Sequence, residues 1–138
     1  MSYNPQFLPT RDYIQVNLAT SAVSVSDNGG NRCTFNNVIA SGNGGLSLSS
    51  GKVELTANQK YQISAYVLTT TPEDISIYDF TNGVNISPKN DDGNAIDSVG
   101  SLICIVTPTG NIDVGVSADT TTTFEDVTAT CQMLVEEL

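Results

Sequence analysis

Histidine and tryptophan are missing from this 138-residue chain, and lysine and arginine together number only 5. Without histidine, neither a Ser-His-Asp nor a Cys-His nucleophile can be assembled in its usual form, and histidine-ligated zinc and iron are excluded. Without tryptophan, a frequent platform for sugar rings is gone. Fifteen acids against 5 bases give a formal net charge of -10. Such a chain repels a phosphate backbone, so nucleic acid is not an expected partner. Charged residues make up only 14%, which leaves Ser, Thr, Asn and Gln to supply the polar surface, as suits strands and loops better than solvent-facing helices. No apolar run approaches the roughly 20 residues of a membrane-spanning helix, so a membrane is not an expected partner either. The N-terminal stretch MSYNPQFLPTRDY has neither the basic nor the apolar region of a secretory signal, and synthesis in a cytosol is the expectation.

Cysteine is scarce and oddly placed. Cys33, Cys104 and Cys131 are three in number, far apart, and without a Cys-x-x-Cys spacing. That speaks against both a disulfide framework and a zinc site. Cys104 and Cys131 lie in strand-like apolar runs, so buried free thiols and a reducing compartment are expected. A pair of carboxylates could still hydrolyse glycosides. The acids here, however, sit in turns or on the wet faces of strands, and no enzyme is expected.

What the chain has is a period of 2. In Gly51–Leu68, Val53, Leu55 and Ala57 alternate with Lys52, Glu54 and Thr56, and Tyr61, Ile63, Ala65 and Val67 alternate with Gln62, Ser64 and Tyr66. One apolar and one polar face mark half-buried strands, and the Asn58-Gln59-Lys60 turn between them predicts a hairpin. Ile14, Val16 and Leu18 begin another strand, with a break in parity near Thr20-Ser21. Cys33–Ala40, Ile75–Phe80 and Ile112–Val116 follow as further candidates, and Val127–Val135 has the longest strict alternation. Val99–Val106, VGSLICIV, is different: a dense apolar run of the kind found in a strand covered on both faces. About eight strands, separated by Gly, Pro and Asn turns with no helix between them, predict one all-β domain, an antiparallel β-sandwich or jelly roll, over residues 13–138.

Residues 1–12 form a proline-containing extended arm, whether a frayed end or a segment whose Tyr3, Phe7 and Leu8 dock on a neighbour. In the polar loop 88–97, Asp91, Asp92, Asn94 and Asp97 surround Gly93 with oxygen ligands and make calcium a candidate, although the spacing is not that of an EF-hand and solvated loop acids are the commoner case. Asp119, Glu125 and Asp126 are a weaker cluster of the same kind. Tyr66 and Tyr78, on faces opposite the apolar set, are candidates for a subunit contact.

The segment Gly51–Val67, with its pattern Gly-x-Val-x-Leu-x-Ala-x-x-x-Tyr-x-Ile-x-Ala, resembles the second-strand hairpin of the C1q/TNF-like jelly roll, and the polar glycine-rich stretch Ser41–Ser50 before it and the alternating terminal strand Thr128–Val135 match that family as well. Members of that fold are usually trimers packed through apolar strand faces, and similar domains occur in virion proteins of tailed bacteriophages, as fibre heads and capsid decorations. The resemblance therefore implies a homotrimer. With no collagen-like stalk, membrane anchor or coiled-coil shaft in the sequence, it implies a capsid decoration (cement) protein on the virion surface, made in the host cytoplasm and bound to the major capsid protein of the shell. The receptor- or glycan-binding head of a tail or head fibre is the alternative.

Overall fold

In the computed structural model, which describes residues 11–91, 98–126 and 131–138, the alternating segments become strands. In chain order these are β1 (Tyr13–Asn17), β2 (Ala22–Val23), β3 (Val25–Asp27), β4 (Gly30–Arg32), β5 (Asn37–Ser41), β6 (Leu48–Ser49), β7 (Lys52–Leu55), β8 (Tyr61–Thr69), β9 (Asp74–Asp79), β10 (Val84–Asn85), β11 (Asn90–Asp91), β12 (Ser98–Val106), β13 (Ile112–Ala118), β14 (Thr123–Phe124) and β15 (Gln132–Glu137). Eight of them have four or more residues, in line with the number expected. The others are pairings of two or three residues beside turns, too short for alternation to show.

The strands form two antiparallel sheets. The first runs β2-β14-β8-β15-β1-β5, with β12 along the other edge of β8; the second runs β10-β9-β13-β4-β3, with β11 also on β9, and β7 on β13 carrying β6. Ile63, Ala65 and Val67 of β8, Met133 and Val135 of β15, and Ile14 and Val16 of β1 face Val53, Leu55, Ile75, Ile77, Val114 and Val116 of the second sheet in one buried cluster. β1, β7, β8 and β15 put every second side chain into this layer, so their burial follows directly from the period of 2.

The expected hairpin of Gly51–Leu68 is not formed. Its alternation is as read, but β7 pairs with β13 and β6 in the second sheet, while β8 pairs with β12, β14 and β15 in the first. Residues 56–60 are thus an arch that carries the chain across the roughly 10 Å between sheets. Period 2 states which face is apolar, and that requirement is met equally by neighbours in one sheet and by strands facing each other. The arch is held by Thr56 N–H donating to the hydroxyl of buried Tyr61 (3.0 Å), Asn58 N–H to the Pro108 carbonyl (2.7 Å) and Ala57 N–H to Asn111 Oδ1 (2.9 Å). Asn58 takes a φ of 64°, which asparagine tolerates. The Cys33–Ala40 strand is also displaced: β5 starts only at Asn37, and Cys33 and Phe35 are buried ahead of it.

Several acids act as staples. Buried Asp12 accepts from the backbone N–H groups of Tyr13 (3.0 Å), Asn43 (2.8 Å) and Leu46 (2.9 Å), which wraps the glycine-rich stretch 42–46 around one carboxylate. Asp79 caps its own turn through Thr81 and Asn82, and Glu73 accepts from the hydroxyls of Thr71 and Thr120. Asp27 Oδ2 lies 2.9 Å from Arg32 Nε and 3.0 Å from Lys52 Nζ, joining β3, β4 and β7. Burial pushes the Asp27 carboxyl up, but the hydrogen bonds and charges of Lys52 and Arg32 outweigh it and hold the group below its ordinary 3.8. A carboxyl depressed in the folded chain stabilises above the unfolded value, and that contribution is lost as pH falls through the folded one. Asp27→Asn should therefore lower the urea midpoint at pH 7, with the gap to wild type closing as pH drops below about 4; a gap independent of pH would contradict the ion cluster.

Candidate functional site

The outer face of the first sheet is a grid set by register. Ser101, Tyr66, Gln132 and Asn17 form one row across β12, β8, β15 and β1; Ile103, Ser64, Leu134 and Gln15 form the next; Ile105, Gln62, Glu136 and Tyr13 form the third. Ile103 is 65% exposed, Ile105 61% and Tyr66 42%, with Leu134 half-buried beside them. Because Ser64 is small, the middle row sinks into a shallow groove of about 370 Å³ between Ile103, Tyr66 and Leu134. In a chain of net charge -10, Glu136 is the one charged residue of these three rows. The groove is therefore an apolar patch on a polar face, and the face is free of most of the self-repulsion that acts elsewhere.

The dense run of β12 predicts cover on both faces, and the structure corrects that for the single chain. Leu102 points into the core, whereas Ile103 and Ile105 point out with nothing of the described residues over them. Covering those two would contribute roughly 2–4 kcal/mol per copy. Ile103, Ile105 and Leu134 were not candidates from the sequence, although the run VGSLICIV carried the signal in the form of apolar residues at both parities.

Tyr66 and Tyr78 are not brought together. Tyr66 lies on the outer face of the first sheet, while Tyr78, in the second, is only 7% exposed. Its hydroxyl donates to the Asn28 carbonyl (2.9 Å) and its ring packs on Phe80 at 4.8 Å between centroids. The turn Asn28-Gly29-Gly30 folds over the outside of β9, so a position opposite the apolar set is covered all the same. Of the calcium candidates, Asp91 pairs through its backbone with Asp74, and Asp92, Asn94 and Asp97 lie outside the described residues, as do Tyr3, Phe7 and Leu8. Asp119 is paired with Lys89 at 2.8 Å, and the N–H groups of Glu125 and Asp126 donate to the Leu68 carbonyl and Ser21 Oγ. Among the described residues, no group of three or more Cys, Asp or Glu is placed to hold a metal ion. The second sheet carries a polar depression of about 490 Å³ lined by Ser76, Tyr78, Asn85, Lys89 and Asp119, where Ser76 donates to Asn85 Oδ1 and Lys89 to Asp119.

No family model and no curated protein matches this sequence. Solved structures do. Murine APRIL at pH 8.0 aligns with a TM-score of 0.63 at 9% identity, over 94% of this chain and 100% of that one. The globular domain of zebrafish complement 1qA aligns at 0.57 and 10% identity, over 91% and 94%, and murine APRIL at pH 8.5 at 0.57 and 8%, over 94% and 100%. The fold is the C1q/TNF-like jelly roll. At such identities the fold is what the chains have in common. Within this jelly roll the two tyrosines should separate cleanly in urea titrations of dilute protein. Tyr78→Ala should cost about 3 kcal/mol or more, as for other buried aromatics, and Tyr66→Ala should stay within about 0.5 kcal/mol of wild type. Equal costs would contradict their assignment to buried and exposed faces.

Proposed function

We propose that this chain is a non-enzymatic structural domain that assembles as a homotrimer through the outer face of its first sheet, and that the trimer decorates the exterior of a virion shell. The observation that carries the assembly is β12: a strand with the composition of one covered on both faces, of which the described residues cover only one. The same face on the two neighbouring copies about a three-fold axis, with little charge and with Ile103, Ile105 and Leu134 on it, is a cover of matching chemistry. The jelly roll supports a trimer by analogy, and the virion role rests on the resemblance of the sequence to decoration domains of that fold. Binding only the assembled shell would stabilise it by mass action, with no chemistry required. The acids of the described residues fit this reading, since Asp12, Asp79 and Glu73 are occupied in holding turns. The polar depression around Asn85 and Lys89 favours, as a second reading, a fibre head that binds a glycan or receptor.

Sedimentation should give a species of three times the chain mass, and Ile103→Lys with Ile105→Lys should reduce it to the chain mass while leaving the strand signature in circular dichroism intact. A wild-type monomer would contradict the assembly. Deleting residues 1–10, which spares the Asp12 staple, should leave the trimer in place and weaken its co-sedimentation with purified shells; undiminished binding would exclude Tyr3, Phe7 and Leu8 as anchors.

A further inference from the structure

Two of the three cysteines are brought together from opposite sheets. Cys33 follows β4, and its N–H donates to the Val116 carbonyl of β13 in the second sheet (2.9 Å). Cys131 leads into β15 of the first sheet, and its carbonyl accepts from Leu18 N–H (3.2 Å). The segment after Cys33 reaches that same place: Asn36 N–H donates to the Asn17 carbonyl (3.1 Å), and Asn36 Oδ1 accepts from Ala19 N–H (2.8 Å). Both thiols are completely buried, and their side chains are hydrogen-bonded to one another. Cys131 Sγ also accepts from Leu68 N–H at 3.3 Å and donates to the Glu125 carbonyl at 3.1 Å. Cys104 lies elsewhere, on β12 opposite Ile63.

We propose that Cys33 and Cys131 are a redox latch: a dithiol that closes to a disulfide tying the two sheets together. This goes beyond the assembly reading and does not depend on it. Burial pushes the Cys33 thiol well up, and the hydrogen bond to Cys131 adds to that. That same hydrogen bond is the main reason the Cys131 thiol is held below its ordinary value. In the open chain either thiol can attack first; the exchange with Cys131 leading is the same with the two interchanged. The oxidant is a low-molecular-weight disulfide. Cys131 attacks one of its sulfurs and displaces one reagent thiolate, leaving a mixed disulfide. Cys33, giving its proton to that thiolate, then attacks the Cys131 sulfur and displaces the second. The two protein thiols lose two electrons in all, and the reagent disulfide is reduced to two thiols. With both sulfurs buried, the reagent meets them as the chain folds, before the sheets close. Linking positions about 100 residues apart removes much of the freedom of the unfolded chain, which favours the closed sandwich.

The test is to refold the full chain from urea in oxidised glutathione or in reductant, then alkylate with iodoacetamide under denaturing conditions and weigh the product. The oxidised chain should carry one adduct, at Cys104, and give a Cys33–Cys131 linked peptide, with a Tm higher by about 10 °C than the reduced chain, which carries three. Cys104→Ser should keep the linked peptide and the Tm shift, and Cys33→Ala should lose both. Three adducts after oxidative refolding, a link that includes Cys104, or a linked chain melting no higher than the reduced one would each overturn the proposal.

Discussion

Two sheets can close on each other only if their central strands turn apolar side chains toward one another, and this demand organises the rest of the molecule. β8 and β13 are the strands on which it falls most heavily. β8 holds β12 along one edge and β15 and β14 along the other, and β13 holds β9 on one edge with β7 and β4 on the other. Their inward side chains, Ile63, Ala65 and Val67 against Val114 and Val116, form the centre of the core. Turns are then left to satisfy whatever backbone groups the ladders do not, and an acid-rich chain does this with carboxylates. Asp12 gathers three N–H groups from two distant segments, and burying such groups without partners would cost more than the hydrogen bonds themselves contribute.

Facing could be read from the sequence; connectivity could not. Val53 and Leu55, and Tyr61, Ile63, Ala65 and Val67, are buried as their alternation requires, yet the two strands are joined by an arch and not by a hairpin. The deciding contacts, Tyr61 to Thr56 and Asn58 to Pro108, depend on which edges are already taken by β12 and β13. Tyr78 shows the converse problem. Its parity places it outside, but the turn at Asn28 lies more than forty positions away in sequence and nothing local announces that it will cover β9. The staples Asp12 and Glu73 were equally silent, because an acid in a turn looks the same whether water or backbone N–H groups solvate it.

The case of β12 runs the other way. Its sequence predicted cover on both faces, and the described residues leave Ile103 and Ile105 exposed. A composition shaped by burial is best understood as belonging to an assembled state, which is why the proposed trimer follows from this strand more than from the fold. The same logic separates Cys104 from the other two cysteines. It sits half-buried with its thiol pushed up to about 11 by burial, as a packing residue would. Cys33 and Cys131, by contrast, meet where the two sheets approach each other.

Hydroxyl-radical footprinting reports side-chain accessibility in solution one residue at a time. In the single chain, Ile103 and Ile105 at 65% and 61% are exposed as much as Val23 at 58% and Val84 at 52%. If the outer face of the first sheet is an assembly face, Ile103, Ile105 and Tyr66 will be protected at high protein concentration and will become reactive on dilution, while Val23 and Val84 react throughout. Equal reactivity of all of them at every concentration would mean that the face stays open to water, and the assembly account would be wrong.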